Sequence, residues 1–151
     1  MEICAAGVQD LHDMNRIIVA AKRHWNYPEE WIQLWLPDLK VDESILQERR
    51  FWVAKHGGAI IALASCASLG ADHYELEDCW VDPACMGLGA GKALMDYVCA
   101  YLKSVSAKEL LIAADPNATG FYEKMGAQAC GLRESTPEGR QLPLYKVIFN
   151  P

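Results

Sequence analysis

The sequence predicts an α+β fold: a mixed central β-sheet of about seven strands flanked by about four helices, in one domain over residues 1–151. Three observations carry this expectation. The length of 151 residues fits a single core, since independent domains cluster near roughly 100–150 residues. Strand-like segments in the first half follow one another as hairpin neighbours do, whereas the second half alternates strand, helix, strand, helix. Glycine and proline signals separate these segments.

Ile3 to Ala5 reads as a short strand, and Val8, Leu11, Met14, Ile17, Ile18 and Ala21 then recur at helical spacing. A second helix follows His24-Trp25-Asn26-Tyr27-Pro28, with Pro28 in its first turn, Trp31, Ile32, Trp35 and Leu36 on one face, and an end near Pro37-Asp38. Phe51 to Ala54 and Ala59 to Ser68 form a predicted hairpin, because the intervening Gly57-Gly58 tolerates the positive backbone angles of a tight turn. Tyr74 to Val81, bounded by Gly70-Ala71-Asp72 and Asp82-Pro83, is the next strand. Beyond Gly87-Leu88-Gly89-Ala90-Gly91, a helix is expected from the spacing of Leu94, Val98, Tyr101, Leu102 and Val105. Leu110 to Ala113 is a strand, and Asp115-Pro116 opens a helix, with Asp as N-cap, that carries Phe121, Tyr122 and Met125 and stops at Gly126. Ala127 to Leu132 and Leu142 to Phe149 complete the sheet around a polar loop holding Arg133 and Arg140.

Hydrophobic residues make up 52% and charged residues 23% of the chain, which leaves no room for a long disordered tail. A formal charge of -6 argues against nucleic acid as a partner, because binding to phosphate backbones needs a basic face. No stretch reaches the roughly 20 apolar residues that span a bilayer, and no secretory leader pattern opens the chain; no membrane partner and a cytoplasmic location are the expectations. Cys4, Cys66, Cys79, Cys85, Cys99 and Cys130 form no C-x-x-C pair, so they read as reduced and structural. His12, His24, His56 and His73 do not cluster, and no metal is expected.

The acidic balance means that a bound polyphosphate must be held locally. Gly87, Gly89 and Gly91 stand between a strand end and a helix start, where the unpaired N–H groups of a first helical turn and its partial positive charge favour an anion, with Lys92 beside them. Two familiar phosphate motifs fail. A P-loop needs glycine five residues before Gly91 and Ser or Thr after the lysine, where Met86 and Ala93 stand; the dinucleotide fingerprint needs glycine at Lys92. Glycines that only make a tight turn would give the same local pattern.

The run from Val81-Asp82-Pro83 through Met86, Gly89 and Gly91 to Leu94 resembles the acetyl-CoA-binding motif of GNAT superfamily acetyltransferases, V-x-P followed by Q/R-x-x-G-x-G/A and a helix. Asp115-Pro116-Asn117 with Phe121-Tyr122 and Gly126 is similar to the family's second signature. Met86 departs from the usual Gln or Arg. The order of elements is similar across nearly the whole chain. The resemblance implies acetyl-CoA as cosubstrate, its pyrophosphate on the N–H groups of Leu88, Gly89, Gly91 and Lys92, its pantetheine arm along the strand ending at Val81, Asn117 on that arm, and Tyr122 near the sulfur.

An amine attacking a thioester needs proton removal from nitrogen, stabilisation of the developing oxyanion, and a proton for the departing thiolate. Tyr122 suits the last role, because a phenol stays protonated at neutral pH; a buried aromatic on an amphipathic helix is the bland alternative. The resemblance puts the oxyanion on the Val81 N–H. Glu75 and Glu77 are the candidate bases, sharing one strand face with Cys79 and Val81 by the two-residue period, with Asp78 on the other face unless a bulge intervenes. The acceptor, a small-molecule primary amine, would lie among His24, Trp25, Tyr27, Glu29, Glu30, Trp31 and the loop of Arg133 and Arg140; aromatics with carboxylates suit a polyamine-like or other amino metabolite, though Trp25, Trp31 and Trp35 also read as helix packing. A homodimer rests on family analogy alone. The competing function is a non-catalytic acyl-CoA sensor, which would need neither Tyr122 nor the strand carboxylates.

Overall fold

The computed structural model describes residues 1–150. Seven strands form one sheet in the order β1 (Glu2–Ala5), β2 (Arg50–His56), β3 (Ala59–Gly70), β4 (His73–Val81), β5 (Glu109–Ala113), β7 (Gln141–Ile148), β6 (Gln128–Glu134). All neighbours are antiparallel except β4 and β5, whose parallel pairing is bridged by the glycine turn and a helix. The fold is thus the expected α+β arrangement on a mixed sheet, with five helices among the described residues: α1 (Leu11–His24), α2 (Glu29–Leu39), α3 (Glu43–Glu48), α4 (Ala90–Ser104) and α5 (Thr119–Lys124).

Two cores sandwich the sheet. Leu94, Met95, Val98 and Leu102 of α4 pack with Ala62, Ala64, Leu76, Leu110 and Ile112 on one face. Met14, Ile17 and Ile18 of α1 pack with Phe51, Val53 and Leu63 on the other. The alternation of β2 and β3 residues between these clusters follows from the two-residue period of a strand. Gly57 and Gly58 both take positive φ, 60° and 83°, as the hairpin turn requires.

Three local expectations need correction. Residues 8–10 form a separate 3-10 turn ahead of α1 rather than its first turn. Residues 116–118 likewise form a separate 3-10 turn ahead of α5 rather than its first turn, whereas α2 ends at Leu39, beside the expected Pro37-Asp38, with Lys40 N–H closing it on the Leu36 carbonyl at 3.1 Å. Helix α3 is additional: Asp42 caps it by accepting from the Ile45 N–H at 2.8 Å.

Candidate active site

Strand β4 builds the site because it is irregular. Its register against β3 runs Ala64↔Cys79 and Ser65↔Asp78, then Cys66↔Leu76, so Glu77 is an extra residue. Such a bulge flips the parity of a strand and sharpens its twist. Leu76, Cys79 and Val81 consequently share the α4 side, whereas Trp80 packs toward the α1 core. Glu75 therefore does not share a face with Cys79 and Val81, contrary to the simple two-residue period. Pairing with β5 also ends here, since its last register pair is Leu76↔Ile112. From Glu77 to Val81 the edge of β4 away from β3 has no strand partner, and alternate backbone N–H and C=O groups face an opening.

That opening is a cavity of about 340 Å³ lined from both sides of the sheet: Cys79, Val81, Gly91 and Tyr122 on one, Ala21, His24, Trp25 and Trp80 on the other. A second groove of about 410 Å³, beside Arg50, Cys66 and Tyr101, is larger but contains none of the motif residues. Convergent polar groups matter more than size in choosing between them.

At one mouth of the cavity, Gly87 and Gly89 hold φ of 88° and 79°, and Gly89 is the N-cap of α4. The first helical donor is the Ala93 N–H, bonded to the Gly89 carbonyl at 3.0 Å; the N–H groups of Ala90, Gly91 and Lys92 come before it and have no partner within the helix. A phosphate fits this cradle. Gly91 serves packing as well: a Cβ there would lie 3.3 Å from the Phe121 ring and 3.5 Å from Val81. Lys92 is exposed and engaged by Asp96 at 2.7 Å, so this end of the site is made by the backbone. Leu88 projects to solvent.

Deeper in, Tyr122 is buried with its hydroxyl beside the Cys79 thiol. Burial, reinforced by Cys79, pushes the phenol well above its ordinary value, and burial raises the thiol to about 11. Both groups are neutral proton carriers at physiological pH, so Tyr122 can donate and Cys79 is no thiolate.

Three carboxylates line the cavity, and their partners distinguish them. Asp78 is buried and accepts from Ser65 Oγ, from Arg49 Nη1 at 3.1 Å and from Trp80 Nε1 at 3.1 Å. Asp115 pairs with Lys22 Nζ at 3.1 Å and lies 3.7 Å from Arg140. Glu77 alone has no ion pair or hydrogen bond among the described residues. Burial, then the neighbouring Glu75 charge, raises its carboxyl above the ordinary value. Glu75 lies outside the cavity lining, with both oxygens held by Arg133 at 3.0 and 2.9 Å.

The sequence did not reveal the cluster around Asp115. Tyr27 donates to it at 2.9 Å, and the Asn117 carboxamide donates both to Asp115 at 2.9 Å and to the Tyr27 hydroxyl at 3.0 Å. Lys22 and Arg140 lie over the Trp35 ring, 4.2 and 4.5 Å from its centroid, and Trp35 Nε1 reaches the Thr136 carbonyl at 2.8 Å. Two segments distant in sequence from Asp115, one holding Lys22 and Tyr27 and the other Arg140, thus meet at its carboxylate. Burial works against ionisation of Asp115, but the Asn117 N–H and Lys22 outweigh it and hold the carboxyl below its ordinary value. Of the expected acceptor residues, His24 and Trp25 line the cavity. Tyr27 and Trp31 stack 6.2 Å apart, Glu29 pairs with Arg23 at 2.7 Å, and Arg140 belongs to the Asp115 cluster. Glu30 is exposed.

Among the described residues, no group of His, Cys, Asp and Glu is placed to hold a metal ion, and no helix is long and apolar enough to cross a membrane.

Comparisons with known proteins agree with this architecture. Among solved structures, the chain resembles the PaiA N-acetyltransferase of Thermoplasma acidophilum in complex with coenzyme A, with a TM-score of 0.81, 18% identity and 98% of each chain covered. It is also similar to the ribosomal-protein-alanine N-acetyltransferase of Brucella melitensis, with a TM-score of 0.73, 19% identity and coverage of 99% and 100%. At these identities the likeness is one of fold. Serotonin N-acetyltransferase 2, chloroplastic, of Oryza sativa is 33% identical over 69 residues, which span 46% of this chain and only 34% of the relative. Residues 11–127, from α1 through the glycine turn and α5 to the residue before β6, match the Acetyltransferase (GNAT) family, and the chain belongs to that family.

Proposed function

We propose that this protein is an acetyl-CoA-dependent N-acetyltransferase that acylates a primary amine of a small molecule by direct attack. One observation carries the reading: an unpaired carboxylate, Glu77, and a neutral phenol, Tyr122, line a single opening in the sheet that ends at an anion cradle. A sensor that only held an acyl-CoA would need the cradle and the open strand edge, but not these two proton carriers.

The residues present fit the cosubstrate. N–H groups at the start of α4, with the turn through Leu88 and Gly89, suit a pyrophosphate, and the open edge of β4 up to Val81 suits the amides of a pantetheine arm as a strand-like partner. Asn117 faces the cavity beside that edge. Glu77, held up in pKa and unpaired, accepts the proton that an arriving ammonium must lose. The neutral nitrogen then forms the C–N bond at the thioester carbonyl while the Val81 N–H, on the open edge, stabilises the charge gathering on oxygen. As the C–S bond breaks, Tyr122 donates its proton to the sulfur and recovers one from the acylated nitrogen. The balance is one ammonium and one thioester in, one amide, one thiol and one proton out. Glu75, neutralised by Arg133, is not assigned the base role.

Isothermal titration with acetyl-CoA, with CoA and ATP as controls, followed by thiol-release assays on a panel of amines, tests this. Saturable binding of both CoA species and Tyr122-dependent thiol release are expected. No binding would overturn the reading; binding without turnover on any amine would leave the sensor.

A further inference from the structure

We infer that the acceptor is a monoamine with an uncharged aromatic or other apolar body, rather than a polyamine, an aminoglycoside-like polycation or a protein lysine. The inference rests on the N-acetyltransferase reading and narrows its substrate.

The argument is one of charge and surface. An ammonium entering the cavity from the α1 side meets one carboxylate free to receive it, Glu77. The other acids there are neutralised in place: Asp78 by Arg49, Asp115 by Lys22 and Arg140, and Glu75, just outside, by Arg133. A second ammonium on the same molecule would find no other unpaired acid among the residues lining the cavity and would lie near cations already fixed in position. It would be desolvated without a partner, which strongly disfavours binding. A polycation needs several uncommitted acids, and the wall supplies a single one.

The surface facing that carboxylate is aromatic. Trp25 and His24 meet edge to face with centroids 4.7 Å apart, and both line the cavity together with Trp80, whose indole N–H is taken by Asp78. Trp25 is 40% exposed, so its ring is available to a ligand rather than consumed in the core as Trp35 is. A flat apolar body attached to the amine would cover this surface and gain the hydrophobic and edge-to-face contributions that such rings offer. A cavity of about 340 Å³ must also admit the thioester end of the cosubstrate, at the lower end of the range for small-ligand sites. That leaves room beside it for a compact body. Counting the carboxylates' own partners moves the preference from a polyamine-like acceptor to a monoamine.

The test compares kcat/KM for 2-phenylethylamine and tryptamine with that for spermidine and for a short lysine peptide, using the full chain and acetyl-CoA. We expect the aromatic monoamines to be preferred by at least about tenfold, the scale of one well-filled apolar contact. Trp25→Ala should lower their kcat/KM by about tenfold while leaving acetyl-CoA affinity by calorimetry unchanged. Equal or better turnover of spermidine or the peptide overturns the inference and leaves the acetyltransferase reading standing. Full retention of aromatic-amine selectivity in Trp25→Ala overturns the assignment of the aromatic wall. Failure to bind acetyl-CoA at all refutes the underlying reading instead, so the two failures are separable.

Discussion

Replacing Asp115 by Asn tests whether the cluster that closes one wall of the cavity is held by charge. Asparagine keeps an oxygen for the Asn117 N–H and the Tyr27 hydroxyl, so the chief loss is the ion pair with Lys22, whose side chain is 8% exposed, and the attraction of Arg140. Breaking a fully buried pair costs about 3–5 kcal/mol. Here the acid is 20% exposed, and the stranded Lys22 ammonium keeps its contacts with the Tyr27, Trp35 and Trp80 rings. These reduce the expected loss to about 2 kcal/mol, or roughly 4–8 °C in Tm for a chain of this length. Thermal unfolding followed by circular dichroism measures it. In a Lys22→Met background the same substitution should cost under about 1 kcal/mol, because no buried ammonium remains to be stranded. The sign with pH is fixed by the carboxyl, whose pKa is lowered on folding. Its contribution is present above the ordinary carboxylate range and is lost as pH falls through the lowered folded value, so wild type and variant should converge in acid. Strict additivity of the two substitutions at neutral pH would refute the reasoning.

Tyr122→Phe should lower kcat by about 10²–10⁴-fold with acetyl-CoA affinity changed less than about twofold, and an undiminished kcat would remove the phenol from the proton-delivery role. Glu77→Gln should lower kcat/KM by about 10²-fold and abolish the acid limb of the pH–rate profile, which in the wild type falls as pH drops below the raised Glu77 value; a limb that survives in the variant assigns it to another group. Gly89→Ala forces an alanine to φ near 79°, at a cost of about 1–2 kcal/mol, and should weaken acetyl-CoA binding by calorimetry; unchanged affinity would show that the turn is not the phosphate cradle.

The features legible in the sequence were those with a local cause. Gly87 and Gly89 could be read as a special turn because only glycine adopts their backbone angles without strain, and the α4 pattern follows from burial of one helical stripe on the sheet. The short α3 could have been found from Asp42 as N-cap ahead of Ile45 and Leu46. Pro37 marked the end of α2 to within two residues, since a proline this close to the C-terminus removes only a single hydrogen bond. The Asp115 cluster was not legible: Lys22 lies 93 residues from Asp115 in sequence and Tyr27 lies 88, and no periodicity reports such separations. Asp115 is a cap, accepting from the Asn117 N–H at 2.9 Å, but of the 3-10 turn Pro116–Ala118 and not of α5, which starts at Thr119; a cap with a second set of partners looks the same in sequence as one without.

The bulge at Glu77 matters most for function and left the least trace in the residues. In an unbroken strand, Leu76 and Asp78 would share a face, and the Asp78 carboxylate would be driven into the apolar layer under α4. The extra residue turns Asp78 toward Ser65 and Arg49 and returns Cys79 and Val81 to the α4 side, next to Tyr122. It also falls directly after Leu76, the last residue of β4 to pair with β5, where a sharpened twist carries the two strands apart. One inserted residue thus opens the sheet and lets an acid and a phenol approach the same opening from separate elements. A reaction that takes a proton from nitrogen and gives one to sulfur needs its two proton carriers on either side of the atoms exchanging bonds. Glu75 and Asp78 are already paired with arginines, so the proposed mechanism gives the nitrogen's proton to Glu77, the cavity acid with no ion-pair partner to displace.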